Sequence, residues 1–118
     1  MTYLKLIVIL LFIGFVVACI KNESKERAFV IADSKSYEAS IFRQNCAICH
    51  GQEANGKEMD GKIIPSLRFG EAEKLSEEQI YQQISNGKLP MPSFKNQLSE
   101  KEIWQMARFI KNDLQGKK

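Results

Sequence analysis

Residues 45–51 read Asn-Cys-Ala-Ile-Cys-His-Gly, and His50 is the only histidine in the chain. Two thiols two residues apart, followed at once by an imidazole, constrain this chain more than any other feature. Three chemistries use such groups: a zinc site, a redox dithiol, or a haem held through thioether bonds. A structural zinc site closes with four tetrahedral ligands. Here two thiolates and one imidazole stand without a second Cys or His cluster, and His50 directly after Cys49 has the wrong spacing. A thioredoxin-like dithiol opens a helix in a βαβ setting. In this chain the motif ends a helical pattern, and no strand precedes it. C-x-x-C-H is a haem-attachment pattern, in which both cysteines bond the porphyrin and the next imidazole reaches the iron from one face. As a lone pentapeptide it also occurs by chance, so context must decide.

The chain has 118 residues, enough for one small domain. From about Ser36 to Leu114 its signals are helical. Tyr37, Ile41, Phe42 and Cys46 share one helical face. Gly51 to Gly70 is rich in glycine and reads as loop. Ser76-Glu77-Glu78-Gln79 is a capping box that starts a helix carrying Ile80, Tyr81 and Ile84, and Asn86-Gly87 stops it. Leu89-Pro90-Met91-Pro92 cannot be helix interior. Ser99-Glu100-Lys101-Glu102 is a second capping box. It opens a helix with Ile103, Trp104, Ala107, Ile110 and Leu114 as its core-facing stripe. No stretch alternates as a strand. An all-α domain of this size with long glycine loops has too little core to stand alone. Something else must fill its middle.

Much of the chain's apolar content lies before this domain. Leu6 to Ala18 carries no charge and follows Lys5, the pattern of a signal h-region, shorter than a membrane span. It ends in Val16-Val17-Ala18-Cys19, which resembles a bacterial lipobox. That resemblance implies cleavage after residue 18 and lipid on Cys19; an uncleaved anchor with an incidental cysteine is the alternative. Either way the rest lies outside the cytoplasm, tethered to a membrane. With Cys19 lipidated, Cys46 and Cys49 remain as a pair and no thiol is left over. Residues 19–36 read as the lipidated cysteine and a charged spacer, about 15 flexible residues of which would reach roughly 20 Å. Phe29-Val30-Ile31 interrupts its polarity, and packing on the domain and packing on lipid both stay open. The domain is expected over 37–118. A net charge of +3, from 17 basic and 14 acidic residues, has no concentrated basic face and excludes a nucleic-acid partner.

If haem is held at Cys46-Cys49-His50, the other face of the iron needs a ligand that is not histidine. Four methionines are present. Met1 leaves with the signal, Met59 follows the motif too closely, and Met106 suits a core or surface position. Met91 stands between Pro90 and Pro92, which restrict its backbone; ordinary core filling is the competing role for such a flexible packer.

Together, F-R-Q-N-C-A-I-C-H-G, I-P-S-L, G-K-L-P-M-P-S-F and E-I-W-Q-M-A-R-F-I resemble the class I c-type cytochromes, in the form of a small membrane-anchored bacterial lipoprotein. The resemblance covers roughly Tyr37 to Leu114. It implies an all-α fold of three or more short helices wrapped around one covalent haem c. Cys46 and Cys49 would be the thioether anchors, His50 the proximal ligand and Met91 the distal one. The Pro65 carbonyl would take the other ring nitrogen of His50, and Leu67 and Phe94 would line the pocket. The Phe42 helix would cross the Trp104 helix near right angles. Glu38 departs from the family, which has a small residue there, with Ala39 and Ser40 just after. The implied function is one-electron transfer with redox proteins of a respiratory chain, without a small-molecule substrate or a catalytic residue. A small haem enzyme or gas sensor with a labile sixth position is the alternative. Lys88 and Lys95 flank Met91 and either steer an acidic partner or are plain solvated surface.

Overall fold

The computed structural model describes residues 1–9 and 28–117. Residues 2–9 are helical. Cys19, the expected lipid site, lies outside the described residues, as does half of the expected signal and half of the spacer. No helix among the described residues is long and apolar enough to cross a membrane.

Helix α1 spans Tyr37–Asn45. The Ser36 hydroxyl accepts the Ala39 amide at its start, satisfying a donor that has no partner within the helix. Ile41 and Phe42 are buried, whereas Tyr37 is 55% exposed. Its ring turns outward, and its hydroxyl donates to the Glu102 carboxylate. The chain breaks at Cys46 and resumes as one short turn, α2, Ala47–His50, which Gly51 ends at φ +83°.

Two short strands follow where sequence patterning reads only loop. β1, Lys57–Met59, pairs antiparallel with β2, Lys62–Ile64. Asp60 and Gly61 turn the hairpin at φ +52° and +72°, the left-handed pair that a tight hairpin turn needs. Three residues a side are too few to alternate visibly in a sequence.

Helices α3, Glu71–Lys74, and α4, Glu77–Asn86, come next. Helix α5, Glu100–Arg108, continues as a π-helical turn, Phe109–Leu114. Both capping boxes form: Ser76 with Gln79, and Ser99 with Glu102. Helix α5 packs against both α4 and α1. Tyr81 and Trp104 stack between α4 and α5 with ring centroids 4.3 Å apart. At the α1 contact the small buried residue is Ala39 rather than residue 38; Glu38 accepts a bond from Gln105 of α5. Phe42, Ile31, Ile103 and Met106 are the largest fully buried side chains. Each contributes about 1.5–3 kcal/mol by leaving water.

Phe29 and Ile31 pack on the domain. Ile31 is fully buried, and Phe29 meets Phe109 edge to face at 5.4 Å. The Glu53 carboxylate accepts the amides of Ile31 and Ala32, at 2.8 and 2.9 Å. Arg43 donates to the carbonyls of Ile31 and Ser34, at 2.7 and 3.1 Å. Residues 29–34 are therefore bonded to the fold.

Candidate haem site

The site begins at the junction of α1 and α2. Asn45 ends α1 and Cys46 sits at the break, with its amide still donating to the Phe42 carbonyl at 2.8 Å. The Cys49 and His50 amides donate to the Cys46 carbonyl, at 3.1 and 2.9 Å. This tight turn carries Cys46, Cys49 and His50, all half-buried, and both cysteines are free thiols. Desolvation pushes the Cys46 thiol up to about 12, and the neighbouring Cys49 adds to this. A working redox dithiol needs the opposite, a thiol lowered toward neutral pH.

His50 is oriented by a long-range bond. Its Nδ1 lies 3.0 Å from the Pro65 carbonyl oxygen, to which Nδ1–H donates. Burial holds the imidazole below the ordinary histidine range, outweighing that bond, which acts in the other direction. The ring is thus neutral, with its Nε2 lone pair free.

Glycine makes this approach possible. Gly56 lies at φ +78°, and its amide donates to the His50 carbonyl at 2.8 Å. A Cβ there would stand 2.5 Å from the Ile64 carbonyl oxygen and 2.8 Å from the Pro65 carbonyl carbon. Only glycine lets the two segments pass this closely. Leu67 follows, its amide donating to the Ala54 carbonyl at 2.9 Å.

The Met91 loop is built on the end of α4. Lys88 and Met91 exchange backbone bonds of 3.0 and 2.8 Å, the Ser93 hydroxyl donates to the Ser85 carbonyl, and the Phe94 amide donates to the Ile84 carbonyl. Gly87, at φ +71°, repeats the device of Gly56: a Cβ there would meet the backbone of Met91, Pro92 and Ser93 at 2.6–2.7 Å. Met91 is half-buried, and its sulfur receives a bond from the Gln83 side-chain amide at 3.7 Å.

Cys46, Leu67 and Met91 pack, partly buried, on one hydrophobic cluster that contains Phe94. Met106 is wholly inside that core, and Met59 lies in β1 opposite Lys62. Lys88 and Lys95 are exposed beside the Met91 loop. Sequence reasoning missed Gly56, Gly87, Ser93 and Gln83. The glycines read there only as loop or helix-stop residues, because the backbone that crowds them is remote in sequence or shaped by the fold. The groups present fit a haem: one neutral imidazole nitrogen, one soft thioether, two free thiols beside the imidazole, and apolar side chains around them.

The family model described as "Cytochrome C oxidase, cbb3-type, subunit III" matches residues 38–110. The cytochrome c6 of Gracilaria tenuistipitata var. liui is 33% identical over 103 residues, covering 87% of this chain and 93% of that protein. The cytochrome c6 of Anabaena variabilis is 39% identical over 75 residues, 61% of this chain and 83% of that protein. A solved structure, the KustC0563 c-type cytochrome, matches with a TM-score of 0.50 and 28% identity over 67% of this chain and 95% of that one. The chain belongs to the class I c-type cytochromes, electron-transfer proteins that carry a covalently bound haem c.

Proposed function

We propose that the chain is a monohaem electron carrier rather than an enzyme. In this reading Cys46 and Cys49 would be the thioether anchors, His50 and Met91 would ligate the iron, and lipid on Cys19 would tether the chain to a membrane on its extracytoplasmic side. The bound haem supplies a one-electron couple between Fe(II) and Fe(III). Cys46 and Cys49 would hold the haem through C–S bonds, each thiol's S–H adding across one vinyl group with no net oxidation. The observation that carries the ligand assignment is the 3.0 Å bond from His50 Nδ1–H to the Pro65 carbonyl, because it leaves Nε2 as the ligating atom and fixes the ring. Met91 contributes a soft sulfur that favours the reduced state. Leu67 and Phe94 supply apolar surroundings that penalise the extra charge of the oxidised state. No side chain is asked to act as acid, base or nucleophile. Exposed Lys88 and Lys95 suit an acidic redox partner, such as a respiratory-chain protein.

The test is spectroscopic and covalent. Protein matured with haem-attachment machinery should keep one haem through acid–acetone extraction, and Cys46→Ser with Cys49→Ser should lose it. The oxidised form should show the weak long-wavelength band of a Met–Fe(III) bond. Met91→Ala should abolish that band, lower the potential and admit cyanide, while Met59→Leu changes none of these. Rapid, stoichiometric carbon monoxide binding by the wild-type ferrous protein would overturn the reading in favour of a sensor or haem enzyme. The tether is tested separately: wild type should take up labelled fatty acid and partition with membranes, and Cys19→Ser should do neither.

A further inference from the structure

Between Cys19 and Phe29 lie residues 20–28. Whatever its conformation, backbone of that length reaches at most about 35 Å. Between Cys19 and the start of α1 at Tyr37 lie residues 20–36, with nearly twice the reach. The bonds on residues 29–34 set the shorter limit. Arg68 donates to the Phe29 carbonyl at 2.7 Å, the Glu53 carboxylate takes the amides of Ile31 and Ala32, and Arg43 holds the carbonyls of Ile31 and Ser34. A chain tethered at Cys19 is therefore attached through one point of the domain surface, beside Phe29.

That point is apolar on its outer side. Phe29 and Ile31 turn inward, whereas Ala28, Val30 and Ala32 are exposed, and none of the three carries a charge. Arg68, which holds Phe29, is followed at once by Phe69. Phe69 is 57% exposed, while Phe29, Phe42, Phe94 and Phe109, the other phenylalanines among the described residues, are buried or half-buried. The loop that presents it is pinned on both sides, because Gln115 donates to the carbonyls of Leu67 and Ala72, at 2.8 and 3.1 Å. The charges that follow are paired, Glu71 with Lys74 and Glu73 with Lys117. An aromatic ring and small aliphatic side chains among balanced charges suit the boundary between lipid headgroups and acyl chains.

On the reading that lipid on Cys19 is the tether, we propose that Ala28, Val30, Ala32 and Phe69 form a lipid-contacting face, so that the domain lies on its membrane in one orientation. So few side chains would not recruit a free protein to a bilayer. On a short tether the encounter is intramolecular, and they need only select among orientations. Lys88 and Lys95 are then held at a fixed angle to the membrane, ready for a partner that approaches along it.

The experiment uses the full lipidated, haem-loaded protein on phosphatidylcholine vesicles that contain a photoreactive phosphatidylcholine. After illumination and digestion, lipid adducts should concentrate on residues 28–32 and 68–70, and should be several-fold fewer on 57–64 and 86–96. Phe69→Ser changes an exposed side chain. It should cut the adducts on 28–32 about three- to tenfold, the worth of partly dehydrating one aromatic ring, while membrane partitioning and midpoint potential stay at wild-type values. Ile63→Ser removes an exposed apolar side chain from β2 and should leave the pattern unchanged. Wild type that partitions with membranes but carries adducts spread evenly over its exposed peptides, or a Phe69→Ser pattern like that of wild type, would overturn the lipid face and leave the tether standing. Wild type that does not partition would overturn the tether at Cys19, and the face with it.

Discussion

Arg68 and Glu53 clamp the chain ahead of α1 onto the rest of the domain. Their side chains meet at 3.1 Å, the arginine only 11% exposed. The same guanidinium donates to the Glu53 and Phe29 carbonyls, while the Glu53 carboxylate takes the amides of Ile31 and Ala32. One ion pair thus ties the segment before α1 to the loop that follows His50.

Removing the guanidinium leaves the Glu53 carboxylate and two carbonyls short of donors in a partly buried place. Arg68→Leu should cost roughly 2–4 kcal/mol of unfolding free energy, since losing one partner of such a pair exposes the full desolvation of the other. Denaturant unfolding of the haem-loaded protein measures this. A change under about 0.5 kcal/mol would mean that the clamp is incidental.

Stability should fall in acid through Glu102. Its carboxyl is held down to about 2, first by the Tyr37 hydroxyl, then by the Ser99 side chain and amide, against an ordinary value of 4.5. The folded value lies below the unfolded one, so the contribution is complete above about pH 4.5 and is lost as pH falls toward 2. Glu102→Gln should flatten stability against pH across that window. Tyr37→Phe should shrink the slope without removing it, because Ser99 still donates. Thermal midpoints measured from pH 2 to pH 6 decide the matter.

The glycines that admit the His50 and Met91 loops should tolerate alanine far less than a glycine in open space. Gly56, Gly61 and Gly87 all have positive φ, but a Cβ on Gly61 would meet nothing within 4 Å. Gly61→Ala should cost only the backbone strain of a left-handed alanine, about 1–2 kcal/mol. Gly87→Ala should cost more and should weaken the Met–Fe(III) band, because the Met91–Ser93 backbone must shift. Gly56→Ala should instead disturb the His50–Pro65 bond. Comparable unfolding free energies for all three variants would contradict this ordering.

Haem removal should undo most of the fold. Cys46, His50, Leu67 and Met91 are only half-buried, so the walls of the site cover one another poorly without a group between them. The remaining core, centred on Phe42, Ile103 and Met106, is small for the backbone entropy it must offset. Protein matured without haem should show weak helical circular dichroism and no cooperative thermal transition. Full helicity with a sharp transition would show that this core suffices.

What the sequence determined by itself is local and chemical. Capping boxes at Ser76 and Ser99, the helical stop at Asn86-Gly87 and the C-x-x-C-H turn depend on residues within a few positions of one another, so their geometry is written in adjacent letters. The Pro65 carbonyl at His50 was reachable only through likeness to a family, since fifteen residues separate the partners. Tertiary structure alone decided the rest. It turned Tyr37 outward to Glu102, put Ala39 in the helix contact where the family pattern has its small residue at position 38, and buried Ile31, which lies in a stretch that reads as spacer. It also brought the Gln83 amide to the Met91 sulfur. Each of these depends on which distant backbone passes close by. That is set by the packing of α1 and α4 on α5 and by the left-handed turns at Gly56 and Gly87, and neither has a periodicity that a sequence displays.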